Sequence, residues 1–169
     1  MAHGEQPHGL GANTKTLSVA EVETMSWPSR RLAGILLVLY PTVIIGGVSL
    51  LGMLVNDPTY QENALRQDLW RAGHAHAGVL LLLSLVTLRY VDQTALGERA
   101  RSFARHSVPV AAVALPVAFF LSVPTPASTQ PNALIWMAPA GAVVLVAGLV
   151  TLGFGLLRTP RAPTGGVGA

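Results

Sequence analysis

Four long apolar stretches, separated by short polar segments, set the pattern of this chain. The first runs from Leu32 to Val55, follows Arg30 and Arg31, and closes at the turn signal Asn56-Asp57-Pro58. The second runs from Leu69 to about Val91, with Arg89, Tyr90 and Asp92 at its far end. The third is Val108 to Val123, and the fourth is Ala133 to Leu157, ended by Arg158. At about 1.5 Å per residue, roughly twenty apolar residues of helix cross a hydrocarbon core about 30 Å thick. The pattern predicts an all-α, integral membrane four-helix bundle with spans near 32–55, 69–91, 108–123 and 133–157. The third span is short, so it tilts little or draws on flanking residues. Pro41, Pro109 and Pro116 are compatible with this, because neighbouring helices in a membrane satisfy the carbonyls that proline frees.

The polar segments complete the organisation. Residues 1–30 read as a disordered cytoplasmic tail, with a short amphipathic piece near Leu17–Met25 and with His3 and His8 solvated. Tyr60 to Asp68 is a polar connector leading into the second helix. Gln93 to Ser107 reads as a basic loop with Arg99, Arg101, Arg105 and a solvated His106. Pro124 to Asn132 is a neutral turn, and residues 159–169 form a second disordered cytoplasmic tail. The transmembrane domain is then 31–158.

Composition agrees with lipid as the solvent. Only 11% of the residues are charged and mean hydropathy is +0.50, whereas a soluble domain carries about 25% charged residues. The absence of cysteine excludes disulfides, thiolate metal sites, iron–sulfur clusters and covalent c-type haem. A formal charge of +3 suggests a nucleic-acid partner at first sight, but the charges flank apolar spans and form no basic patch with interleaved aromatics. Nucleic acid is therefore excluded as a partner; the lipid bilayer is the expected one, with a homo-oligomer or larger membrane complex beside it.

The charges also orient the chain. Lys15, Arg30, Arg31, Arg89, Arg99, Arg101, Arg105, Arg158 and Arg161 fall on one side, and only Arg66 and Arg71 on the other. The positive-inside rule places both termini in the cytoplasm of a multi-pass plasma-membrane protein. Trp70 and Trp136 then lie at the outer interface, and His74 and His76 in the outer leaflet half.

Those histidines are the chemically unusual feature. The segment is Leu69-Trp70-Arg71-Ala72-Gly73-His74-Ala75-His76-Ala77-Gly78. Ionisable groups inside a span are costly and mark sites or interhelical hydrogen bonds. Residues two apart on a helix point about 200° apart, so His74 and His76 do not share one metal ion from a regular helix. His74 shares a stripe with Arg71 and Gly78, and His76 one with Ala72 and Gly73. Met53 and Asp57 at the end of the first span, and Met137 near the start of the fourth, fall at the same depth. Imidazole with thioether suits copper, imidazole with carboxylate suits zinc, and a lone imidazole can ligate haem b. The plainer readings are core filler for the two methionines, a turn cap for Asp57 and an interfacial, snorkelling Arg71.

The run Arg71-Ala-Gly-His74-Ala-His76-Ala-Gly78 resembles a segment of small, uncharacterised four-helix membrane proteins of high-GC bacteria. That likeness extends over residues 30–158 and implies the fold alone. The stretch Ala75-His76-Ala77-Gly78 is similar to one near the start of the second span in hydroxylaminobenzene mutases, although the histidine-rich first span expected there is absent. Haem-copper oxidase subunits also carry histidines at this depth, but they need more on other helices, so a complete haem-copper centre is excluded here. The leading expectation is a binding module around Arg71, His74 and His76 that holds haem b, copper or zinc. Met53, Asp57 and Met137 are further candidate ligands. The alternatives are an accessory or structural subunit of a membrane complex, and a small-molecule mutase or isomerase with His76 as acid/base.

Overall fold

A computed structural model describes residues 25–158. The amphipathic piece near Leu17, His3, His8 and the tail at 159–169 lie outside the described residues. Every regular element among the described residues is helical: α1 (Trp27–Asn56), α2 (Pro58–Gln61), α3 (Ala64–Val91), α4 (Glu98–Ser122), a 3-10 turn (Ala133–Trp136) and α5 (Met137–Arg158). α1, α3, α4 and the 3-10 turn continued by α5 are each long and apolar enough to cross a membrane, and they pack together as an all-α membrane bundle.

Local chemistry explains the element ends. Pro28 lies in the first turn of α1, where its missing N–H costs nothing, and the helix begins at Trp27, inside the segment expected to be tail. α1 stops at Asn56, and Asp57 then accepts hydrogen bonds from the backbone of Thr59 and Tyr60 to cap α2. The Asn63 side chain caps α3 through the Arg66 N–H, and Asn132 caps the 3-10 turn through the Leu134 N–H.

The largest difference from the sequence reading is α4. It begins at Glu98, so Arg99, Arg101 and Arg105 are helical and the connecting loop shrinks to residues 92–97. The third span is thus not short; it takes in residues the sequence marks as a basic loop. Arg105 is tolerated there because it is buried against a partner, the Asp92 carboxylate, at 3.0 Å. His106 is exposed, as its place in a polar stretch predicts.

The helices form an open row in space. α4 lies between α3 and α5, while α1 packs mainly on α3. Burial follows: 56% of the residues in the most apolar stretch of α4 are buried, but only 11% of those in α1. Leu36 of α1, Leu80, Leu81 and Leu88 of α3, and Ala111, Ala112 and Leu115 of α4 make the main core.

Glycine sets the α4–α5 seam. Gly141, Gly148 and Gly155 recur every seven residues and face Leu115, Ser107 and the loop residue Leu96 in turn. A Cβ at Gly141 would come within 2.5 Å of Leu115 Cδ1, and one at Gly148 would collide with the Ser107 side chain. Small residues let backbones approach where no hydrophobic force drives helices together in lipid.

Candidate functional site

His74 and His76 sit on one turn of α3 and face different neighbours. His74 lies against α1, where a Cβ built on Gly47 would be 3.0 Å from both Cε1 and Nε2 of its ring. His76 turns towards α4, with its ring 5.2 Å from that of Phe119. Its Nδ1 donates to the Ala72 carbonyl at 2.7 Å. Gly73 accompanies it, since a Cβ there would press on Phe119 and Phe120. The two stripes expected from helical spacing are therefore present: Arg71, His74 and Gly78 line the α1 side, and Gly73 and His76 the α4 side.

His74 forms no hydrogen bond to a described residue and borders two voids. One is a groove of about 560 Å³ along the α1–α3 seam, lined by Tyr40, Val43, Gly47, Gly78, Val79 and Leu82 among others. The other is a smaller void of about 170 Å³, lined by Leu50, Leu51, Leu54, Tyr60 and Arg71 together with Gly47 and His74. Gly47, Leu51 and His74 line both, so the imidazole stands between the two voids. Gly47 leaves the space beside the ring free of a side chain, and Gly78 does the same farther along the groove.

The wall towards the helix ends has a polar cluster that sequence reading placed in a connector. Tyr60 is buried, and its hydroxyl has no hydrogen-bond partner. Its ring lies 6.0 Å from that of Trp70, which in turn meets Phe120 at 5.8 Å. The Arg66 guanidinium stacks over Trp70, 4.0 Å from the ring centroid. Arg66 Nε and Trp70 Nε1 are also buried without a partner. Burial raises the Tyr60 pKa above its ordinary value against the pull of Arg71 and Arg66, so the phenol stays protonated. The only signal for this cluster in the sequence was an aromatic residue within an otherwise polar connector.

Of the other candidate residues, Arg71 shares the smaller void with His74, while Asp57, Met53 and Met137 line neither void. Arg71 is exposed and pairs with Asp68 at 3.0 Å, as an interfacial arginine does. Asp57 is occupied as a cap: Thr59 donates its hydroxyl at 2.6 Å, the main reason that the Asp57 carboxyl lies below its ordinary value. Met53 is half-buried on α1 and lines neither void at His74. Met137 lines a separate apolar groove between α1 and α4, with Leu36, Val110 and His106. Among the described residues no three His, Asp or Glu side chains converge as a metal cluster.

At the opposite end of the bundle, Asp92 joins three helices. It accepts from Ser26 N and Oγ at 2.9 Å each and from Arg105 at 3.0 Å. Arg105 also donates to Ser29 Oγ at 3.0 Å. This network ties together the start of α1, the end of α3 and the first turns of α4. Compared with family models, curated proteins and solved structures, the chain matches none of them.

Proposed function

We propose that this chain is a multi-pass plasma-membrane protein, with both termini cytoplasmic, that serves as a membrane-embedded binding module at the α1–α3 seam. One observation carries the reading. His74 is an imidazole inside a span, without a hydrogen bond to any described residue, lining two adjacent voids. A polar group in that position is costly unless something else meets it. His76 has its bond to Ala72 and its contact with Phe119, so it serves packing between α3 and α4. The orientation rests on the sequence, in which nine positive charges fall in the segments flanking one side of the spans and only Arg66 and Arg71 in those flanking the other.

If the ligand is haem b, copper or zinc, His74 is its one imidazole ligand from this stretch, because His76 faces the other way. The test is the haem, metal and extractable small-molecule content of detergent-purified protein. Wild type and His76→Ala should retain a bound species that His74→Ala loses. Protein that is empty in all three forms, and takes up neither haem, metal nor a lipid-soluble ligand on addition, refutes the module.

The second reading is a subunit of a larger membrane assembly. Its support is α1, whose most apolar stretch is only 11% buried within the chain. It predicts a partner that co-purifies in mild detergent, with neither histidine required for the association. The mutase reading would move its acid/base from His76 to His74, because His74 and not His76 lines the two voids of the α1–α3 seam.

A further inference from the structure

We infer that the groove between α1 and α4 seats one acyl chain of an anionic phospholipid, whose head group is held by Arg31, Arg99 and His106. This site is separate from the α1–α3 seam and does not rest on the binding module proposed there.

The groove is what the open row of helices leaves uncovered. α1 packs mainly on α3, and α3 on α4, so α1 and α4 approach each other little. Between them lies a groove of about 450 Å³, walled by Leu32, Leu36 and Leu39 of α1 and by Val110, Val113 and Val117 of α4 among others. No carboxylate lines it, and His106 is its one titratable side chain. From His106 to Val117 it follows α4 for eleven residues, about 17 Å along the helix axis. Half of a hydrocarbon core is about 15 Å, so the groove is as deep as the acyl layer of one leaflet.

Charge selects the head group. Arg105 of α4 donates to Ser29 in the first turn of α1, so both helices begin at the same end of the bundle. Among the described residues that end carries Arg30, Arg31, Arg89, Arg99, Arg101, Arg105 and Arg158 against Asp92 and Glu98. Both carboxylates are taken, Asp92 by Arg105 and Glu98 by Arg101. Arg31 and Arg99 are exposed and pair with no described carboxylate. The other end has no such excess, since Arg66 and Arg71 stand there against Asp57, Glu62 and Asp68.

Position brings two of these arginines to the groove. Arg31 lies one turn before Ile35, which lines it, whereas Arg30 falls on the far side of α1. Arg99 lies two turns before His106 on the same stripe of α4. Long side chains on a helix lean towards its N-terminus, which here is the headgroup side. The Arg31 guanidinium lies 5.4 Å from the ring centroid of Trp27, an exposed indole at interfacial depth. His106 donates from Nδ1 to the Ser102 carbonyl at 2.8 Å, so Nε2 of the neutral ring accepts. That set suits a head with hydroxyls beside its phosphate, as in a phosphatidylglycerol.

The test uses the full chain in neutral detergent, titrated with dioleoylphosphatidylglycerol or dioleoylphosphatidylcholine and read as bound lipid by native mass spectrometry. Wild type should bind the phosphatidylglycerol saturably and the phosphatidylcholine at least about fivefold more weakly. Arg31→Gln and Arg99→Gln should each weaken phosphatidylglycerol binding about fivefold. Arg30→Gln makes the same charge change on the far face and should bind as wild type does. Val113→Phe, which fills the exposed middle of the groove, should weaken both lipids and keep wild-type helicity by circular dichroism. Glycerol phosphate, a head without a chain, should not displace the lipid. Equal affinity for the two lipids overturns the assignment. So does a loss in Arg30→Gln as large as that in Arg31→Gln, which would mark a diffuse attraction to the basic end. Unchanged binding in Val113→Phe, or displacement by glycerol phosphate, overturns the groove as the seat of the chain.

Discussion

The Asp92 carboxylate at the end of α3 and the Arg105 guanidinium two turns into α4 meet at 3.0 Å, with only 16% and 7% of their side chains exposed. Ser26, just before α1, and Ser29 in its first turn complete the hydrogen bonding on the two sides of the pair. Taking one partner from a buried pair leaves the other charged and unpaired, which costs about 3–5 kcal/mol. Asp92→Asn should therefore lower the unfolding temperature in detergent well beyond a typical surface substitution. Adding Arg105→Met should recover part of the loss, because it removes the stranded charge. Thermal unfolding of the single and double variants decides this, and a single variant as stable as wild type would contradict the buried pair.

The same pair predicts acid sensitivity. Burial pushes the Asp92 carboxyl up, but the Ser26 N–H, the serine hydroxyls and Arg105 together outweigh it and hold the group below its ordinary value. A carboxylate with a depressed folded pKa contributes fully above its unfolded value of about 3.9, and that contribution is lost as pH falls through the folded value. Unfolding temperature should be level from about pH 7 to 5 and drop below about pH 4. Asp57 is also held low by its cap bonds, so the informative comparison is with Asp92→Asn, whose drop should be smaller. An identical acid profile in that variant would show that Asp92 is not the group responsible.

Gly148 sets how closely α4 and α5 approach. A side chain there would run into Ser107, which is itself buried and donates to the Ala104 carbonyl. Gly148→Val should overpack the seam by about 1–3 kcal/mol. Ser107→Gly in the same chain should restore part of that loss, since it vacates the space the new side chain needs. The readout is again thermal unfolding. Full stability of Gly148→Val alone would mean the helices slide apart at no cost.

How far the sequence reveals this molecule depends on which physical signal each feature leaves. The four apolar helices, the stop at Asn56 and the opposed facing of His74 and His76 follow from hydropathy, turn chemistry and helical period, all local. The start of α4 does not, because Arg99, Arg101 and Arg105 look solvated until Asp92 is placed beside them, and that contact is tertiary. Tyr60 is the sharper case. It lies in a polar connector, yet it is almost fully buried, because α2 turns it under Trp70. Depth alone predicts Met137 and Asp57 beside His74, but Met137 lines a separate groove and Asp57 caps α2, because depth does not bring residues to one side of a bundle.

The two histidines should separate stability from binding. His76 gives a ring to Phe119 and a hydrogen bond to Ala72, so His76→Ala loses packing between α3 and α4. It should cost about 1–3 kcal/mol, in the ordinary range for a partly buried side chain, and leave ligand content unchanged. His74→Ala removes a ring that borders a void and bonds no described residue, so its effect on stability should be smaller, within about 1 kcal/mol. Its effect on ligand content should be the larger one. Unfolding temperature and bound ligand measured on the same two preparations test both halves. The reverse pattern, with His74→Ala unfolding early and His76→Ala losing the ligand, would exchange the roles assigned to the two faces of α3.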